Sequence, residues 1–348
     1  MTPLGRRRWA NFKANRRGWY SLWVFGVLFG VSLAAELVAN DKPIVLYLDG
    51  ALHFPAFTLV TEVELGGTLP IEADYTDPYV QDLIERLGGW SIDPPIPYSY
   101  DTIDLYIDSG APAPPSAQHW LGTDDGAKDV LARLIYGFRL SVSFGIALTF
   151  FASIIGVTIG AIQGYFGGAI DLAGQRVVEI WAGLPILLVL IILASIFEPN
   201  VFLLLAILIA FSWMTLVSVV RAEFLRARNF DYVRAARSLG VSNFTIMRRH
   251  VLPNATVAAL TFLPFILCGA VTTLTALDFL GFGLPVGSPS LGELLQQGKS
   301  NLQAPWLGLT GFFTLAVMLC LLIFVGEAVR DAFDPRRATQ TTEPVPIG

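Results

Sequence analysis

Residues 221–253 read R-A-E-F-L-R-A-R-N-F-D-Y-V-R-A-A-R-S-L-G-V-S-N-F-T-I-M-R-R-H-V-L-P. Seven arginines stand against two acids here, and long apolar runs flank the stretch on both sides. Helical periodicity runs from Phe230 to Leu239, and Gly240 is placed to take the left-handed conformation that ends a helix. Ser242 can cap a second short helix running towards His250, with Pro253 at the start of the next apolar run. Two short helices at an angle form a basic knuckle. Ala235 and Ala236 carry no bulk beyond Cβ, so another protein can approach that helix closely, and the arginines around them suit acidic partners. A basic helix lying on anionic lipid accounts for the charge. It does not require Ala-Ala, Gly and Leu252-Pro253 at these spacings.

The flanking runs decide the class. Mean hydropathy is +0.59, with 54% apolar and 15% charged residues, far from a soluble domain. A membrane span needs about 20 predominantly apolar residues, and six segments qualify: 19–39, 140–163, 178–197, 201–220, 255–280 and 307–327. The fold expected is all-α and integral to a membrane, with six transmembrane helices.

Orientation follows from the Lys and Arg count. Residues 1–18 hold six basic residues and no acid, the 221–253 loop seven, the loop after the second span Arg176, and the tail Arg330, Arg336 and Arg337. These carry 17 of the 23 basic residues and share one side if six spans alternate. That side is the cytoplasm, with both termini inside. The basic head and apolar run of 1–39 suggest a signal peptide, but the run is long and has no clear cleavage site. It reads as an uncleaved anchor, 19–39, behind a basic N-terminus, 1–18.

Residues 40–118 form an external insertion with thirteen acids, ten prolines and only Lys42 and Arg86 as basic residues. Ile44 to Phe54 reads as a hairpin turning at Asp49-Gly50, and Tyr79 to Leu87 has helical spacing. A small α/β or irregular cap fits this composition. Residues 91–118 read equally as a Pro-stiffened exit or as a solvated loop. The segment 119–139 then reads as an interfacial helix, capped by Thr123 or Asp124, that steers the chain into a five-span core at 140–327. A cytoplasmic tail, 328–348, ends the chain.

Three stretches resemble one family, the membrane (permease) subunits of binding-protein-dependent ABC importers. Around the knuckle, Ala235, Ala236, Gly240, Leu252 and Pro253 fall on the pattern E-A-A-x3-G-x9-I-x-L-P, with Arg234 in place of the glutamate and His250 of the isoleucine. Gly122, Thr123, Asp124, Asp129, Val130, Arg133, Tyr136 and Gly137 match the G-T-D-x-x-G-R-D-V-x-x-R-x-x-Y-G signature of oligopeptide importer subunits, with Ala127 and Lys128 for its Gly and Arg. Leu277 to Leu295, with Gly281, Gly283, Pro285, Gly287 and Pro289, is similar to that family's loop after the fifth span, and Gly326 to Arg336 to its C-terminal signature. The insertion and Pro305 to Phe312 look like the Yej-type subunit of peptide and microcin C importers. The resemblance implies a type I-like core that pairs with a homologous second permease subunit. It further implies two cytosolic ABC ATPases, or one fused ATPase, that hold ATP and Mg, and a periplasmic solute-binding protein in a bacterial inner membrane. Peptide cargo is implied in the same way; nickel chelates and glycosides are the alternatives within transporters.

The remaining features are weaker. Gly156, Gly160 and Gly164 form one helix stripe, suited to close packing within the bundle or to a subunit interface. Asp278 and Glu179 sit near span ends, where pairing or capping explains them, and no residue is assigned to cargo. Gly298-Lys299-Ser300 lacks the earlier glycine of a phosphate loop, which falls at Glu293, and the stretch is external. His53, His119 and His250 lie in separate segments with no H-E-x-x-H, and Cys268 and Cys320 lie inside apolar runs, so no metal site or disulfide is expected. An intramembrane enzyme would need converging catalytic groups, and none are found. Nothing points to nucleic acid. A scaffold whose basic loop only binds lipid is the third class.

Overall fold

The computed structural model describes residues 3–48, 50–107, 110–198 and 200–333. Helix α1 (Pro3–Ala14) is followed by α2 (Arg16–Leu33), which starts where the Asn15 side chain accepts the Gly18 N–H (3.2 Å). A break at Ala34 and the short α3 (Ala35–Val38) lead into the insertion. There β1 (Val45–Leu48) pairs antiparallel with β2 (Ala51–His53), Leu48 opposite Ala51. Gly50 has φ +81°, and Asp49 of the expected turn lies outside the described residues. Helix α4 (Pro78–Arg86) is capped by Asp77, and β3 (Trp90–Ile92) pairs with the other edge of β1. Alternation turns Leu46 and Leu48 inward against Leu65 and Val80, all fully or almost fully buried. The insertion therefore has its own core. Its exit is pinned: Ile96 exchanges backbone hydrogen bonds with Val38 and Asn40, both at 3.1 Å.

A single 37-residue helix, α5 (Val130–Phe166), then runs about 55 Å at 1.5 Å per residue. This corrects the expectation of a separate interfacial helix over 119–139. No proline interrupts 130–166, and Gly137 sits in ordinary contact with the Pro289 and Leu291 backbone, so the first turns belong to the long helix itself. Positive φ at Gly167 (+65°) and Gly168 (+56°) turns the chain into α6 (Gly168–Ala182). The span expected at 178–197 is displaced and broken: α6 and α7 (Ile186–Ile196) meet at 66° across Gly183-Leu184-Pro185. Pro185 has no N–H with which to continue α6. Helices α8 (Val201–Ser212) and α9 (Met214–Ala227) form one 27-residue rod.

After α10 (Asp231–Ser238), α11 (Asn243–Thr245) and a π-helical turn at Ile246–Val251 run straight into α12 (Leu252–Phe279). The second short helix of the knuckle is thus the first turns of a 37-residue rod. The π turn just before Pro253 gives its ring room where α geometry would press it on the carbonyl four residues back. Helix α13 (Leu291–Ser300) precedes α14 (Pro305–Phe333). Among the described residues four helices are long and apolar enough to cross a membrane, or five with the bent pair as one. The first expected span, 19–39, is α2, which stops at Leu33 and does not reach that measure.

Helix α5 is the pillar. The glycine stripe lies against α9, where a Cβ on Gly160 would stand 2.8 Å from the Val217 carbonyl oxygen and one on Gly164 2.5 Å from that of Arg221. Helix α12 packs beside both, α14 packs on α12, and α2 on α14, where Gly18 meets Ala328. Replacing Gly160 by leucine must therefore part α5 from α9. We expect Gly160→Leu to destabilise the protein by about 1–3 kcal/mol, read as a lower thermal midpoint in detergent. Gly26→Ala, inside α2 where nothing lies within 4 Å, should not lower the midpoint and should raise it slightly, since alanine favours the helix by about 0.5–1 kcal/mol.

Candidate functional site

The knuckle is built on a helix end. The Val241 N–H donates to the Ala236 carbonyl (3.1 Å) and the Gly240 N–H to that of Arg237 (3.0 Å), the two bonds of a Schellman cap. Gly240 has φ +75° with nothing within 4 Å of a Cβ, so the conformation, not space, calls for glycine. Ser242 Oγ accepts the Thr245 N–H (3.3 Å) and starts the next helix. Val233 and Ala236, three apart on α10, turn inward onto Phe224, Ile246 and Val251. Each large apolar side chain buried there contributes about 1.5–3 kcal/mol, so the knuckle moves with α9 and α12.

This geometry divides the alanine pair. Ala235 is exposed, whereas Ala236 is buried, because neighbours on a helix differ by about 100° and Ala236 shares the face of Val233. Only Ala235 offers the open approach expected of both. Arg234 and Pro253 are exposed and Leu252 packs partly on the knuckle core. Two surface residues escaped notice in the sequence: Leu239, 82% exposed, and Phe244, 70% exposed, flank the turn. Their only signal was large apolar side chains inside a polar loop. The arginines also divide. Arg221 grips Asp171 through two hydrogen bonds, one of 2.7 Å, Arg226 pairs with Glu223 (2.7 Å), and Arg228 donates to the Phe166 carbonyl (3.3 Å). Arg237 lies over Tyr165, whose hydroxyl donates to Asn243 (2.8 Å). Arg234, Arg248 and Arg249 are exposed and enter no ion pair among the described residues. The result is a small basic and apolar projection on a rigid base.

At the other end of α5 the Gly-Thr-Asp motif forms a clamp. Arg133, 1% exposed, pairs with Asp124 and with Glu293 of α13 (2.9 Å), and donates to the Ser288 carbonyl (3.1 Å). Asp124 also accepts the Gly126 and Lys128 N–H groups. The cap of α5 is Asp129, which accepts the Ala132 N–H (2.7 Å), not Thr123 or Asp124 as the spacing suggested; both of those are spent within the clamp. The Thr123 hydroxyl accepts the Ala113 N–H (2.8 Å), and the Thr123 carbonyl accepts the Trp306 indole N–H (3.2 Å). Gly122, at φ +78°, leaves the space that Trp306 fills. His119 faces Asp129 (2.9 Å) and Asp104 (3.1 Å) through its two ring nitrogens. Ala127 has φ +59°, a non-glycine residue in the left-handed region where the resembling signature carries Gly. These residues join the insertion to α5, α13 and α14. Asp278 is likewise structural. Its carboxylate accepts the Leu284 N–H (2.7 Å) and the Ser290 hydroxyl, which closes the loop from α12 to α13. Among the described residues no group of three or more His, Cys, Asp or Glu side chains is placed to hold a metal ion.

The family described as binding-protein-dependent transport system inner membrane component matches residues 156–339. An inner membrane ABC transporter permease protein YejE of Escherichia coli is 57% identical over 97% of this chain and 99% of its own length. A peptidoglycan transport system permease protein YejE of Agrobacterium fabrum is 56% identical over 97% of this chain and 94% of its own. An oligopeptide transport system permease protein OppC of Lactococcus lactis is 33% identical over 68% of this chain and 82% of its own.

Three substitutions probe the clamp. Arg133→Met strands the buried Asp124 carboxylate and should cost about 3–5 kcal/mol, seen as loss of folded protein in the membrane fraction. Adding Asp124→Asn should recover part of that loss. Ala127→Gly relieves the left-handed alanine and should raise stability by about 0.5–1 kcal/mol, measured as a higher thermal midpoint.

Proposed function

The chain belongs to the binding-protein-dependent transport system inner membrane components, and from that premise we propose that it is the permease subunit of an ATP-driven importer of short peptides or peptide-like compounds. It is a transport component, not a catalyst. Cargo crosses by alternating access on a type I-like core shared with a homologous second permease subunit. A periplasmic solute-binding protein delivers the cargo, and two ABC ATPases, or one fused chain, bind ATP and Mg on the cytoplasmic side. The peptide cargo rests on the names of the OppC relatives and the coverage of the YejE relatives. A peptidoglycan fragment, named for one of them, is itself peptide-bearing.

The observation that carries the coupling role is the knuckle's shared core with α9 and α12. An ATPase that grips Ala235, Leu239 and Phe244 would push a body that cannot flex separately from two spans. Nucleotide-driven movement of the ATPases then biases the bundle between outward and inward access.

Two further assignments complete this reading. Helix α2 is the first of six spans, an anchor with Arg16 and Arg17 at its inner end and the Arg139–Glu36 ion pair (2.7 Å) just beyond its outer end. Trp23, Val27 and Val31 on its exposed face then meet lipid. Both termini are cytoplasmic. Arg8 of α1, Arg226 of α9 and Arg330 of α14 line one cavity, so the basic ends gather at one end of the bundle, as the positive-inside rule requires. The sheet-bearing insertion is then periplasmic.

Gly240→Val forces a β-branched residue into the left-handed region, at about 1–2 kcal/mol or more, and turns the knuckle. Peptide uptake by cells carrying it should vanish while the subunit stays in the membrane. Leu239→Glu should lose the ATPases, but not the second permease, when the complex is purified in mild detergent. Unchanged uptake together with unchanged ATPase recovery would remove the coupling role.

A further inference from the structure

A cleft of about 580 Å³ opens where α1, α9, α12 and α14 come together. Three arginines from segments far apart in the chain line it: Arg8 of α1, Arg226 of α9 and Arg330 of α14. One carboxylate, Glu223, stands among them and is paired with Arg226 (2.7 Å). Among the described residues Arg8 and Arg330 enter no ion pair, and Arg8 lies over the Phe333 ring, 4.6 Å from its centre. Two guanidinium charges at one cleft are left unanswered. Arg8 does not trail in solvent: Phe12 of the same helix is buried against Ala328 and Ala332 of α14, so α1 delivers Arg8 as part of the packed bundle.

The rest of the cleft is not basic. One wall is a single face of α12, formed by Asn254, Val257, Ala258 and Thr261 at helical spacing. That face climbs about 10 Å at 1.5 Å per residue, from the first turn of α12 into the apolar run 255–280. Cations at the mouth and an apolar wall leading into a span match a phospholipid, with its phosphate outermost and a chain within. The depth is marked independently. Trp9, next to Arg8, and Trp23 are 43% and 57% exposed, and both meet Trp19 edge-to-face. Lys13 lies over the Trp9 and Trp19 rings. Open indoles with a lysine beside them suit the membrane–water interface, so Arg8 stands at headgroup level. A zwitterionic headgroup brings an ammonium that two unpaired arginines repel, and a net negative one does not.

We propose that this cleft holds an anionic glycerophospholipid, its phosphodiester held by Arg8 and Arg330 and one acyl chain along Val257, Ala258 and Thr261. Ala227, the last residue of α9, and Phe230, just before α10, also line the cleft. A bound lipid therefore ties α1 and α14 to the base of the knuckle. The site rests on the membrane placement proposed above, with this end of the bundle in the cytoplasmic leaflet. Binding itself needs neither cargo nor ATPase.

The test uses the full chain in a neutral detergent, titrated with phosphatidylglycerol and read by native mass spectrometry, which counts bound lipids. The first phosphatidylglycerol should bind about tenfold or more tighter than phosphatidylcholine with the same chains. Arg8→Gln with Arg330→Gln should weaken it about thirtyfold, while Arg8→Lys with Arg330→Lys, which keeps the charge, should stay within about threefold. Arg6→Gln with Arg17→Gln removes the same charge from the same end outside the cleft and should change affinity less than about twofold. Ala258→Trp blocks the apolar wall with every arginine in place and should weaken binding about fivefold. Glycerophosphoglycerol, the same headgroup without acyl chains, should not displace the lipid. Equal affinity for the two lipids, equal loss in the two glutamine pairs, or displacement by glycerophosphoglycerol overturns the proposal. So does wild-type lipid affinity in the Arg8 and Arg330 glutamine variant; if that variant also loses the ATPases, the cleft is a protein contact. Failure here leaves the importer reading intact, because that is judged by uptake and ATPase recovery.

Discussion

Close backbone contact between α5 and α9 is the constraint on which the rest of the bundle depends. Within lipid, apolar side chains gain little by leaving one apolar neighbour for another, so helix association relies on fit. The stripe of Gly156, Gly160 and Gly164 supplies it, since any Cβ there would press on the carbonyls or side chains of α9. With that seam closed, α12 can lie across both helices and α14 across α12. The seam also aligns what lies at either end of α5. Its last turn, at Tyr165, reaches Asn243 at the base of the knuckle, and its first turn carries Arg133 into the clamp.

The two ends are built by different physics. At one end the clamp is polar: a buried guanidinium meets carboxylates on α13 and in the 122–129 turn, and an indole N–H donates to the Thr123 carbonyl. Such a cluster is costly to assemble and costly to break, and it fixes one geometry. At the other end the knuckle is held by apolar burial and a glycine cap, and its charges are exposed. A rigid, nearly dry base with an exposed tip suits transmission of movement. A polar clamp suits holding the insertion to α5, α13 and α14 in one geometry.

Most of the organisation was legible from residues 1–348 alone. Apolar runs of span length, the arginine asymmetry and the clustered acids and prolines of 40–118 are local or additive properties, readable without contacts. The left-handed turn at Gly240 and the Ser242 cap were legible for the same reason, as each depends on a few neighbouring residues. Less visible was where α5 starts. A lead-in of mixed polarity looked like a surface helix, but its polar residues are consumed by partners more than a hundred residues away, such as Glu293.

Sequence by itself determined the class, the family signatures and the chemistry available at each end, because hydropathy, charge and turn propensity are carried by each residue and its near neighbours. Tertiary structure decided how those residues are shared out. It turned Ala236 inward and left Ala235 bare, assigned Asp129 the cap that Thr123 and Asp124 had seemed to hold, and bent the third apolar segment at Pro185. It also gathered Arg8, Arg226 and Arg330 around one cleft. Each of these depends on which face meets which neighbour, and that is fixed only when distant segments pack.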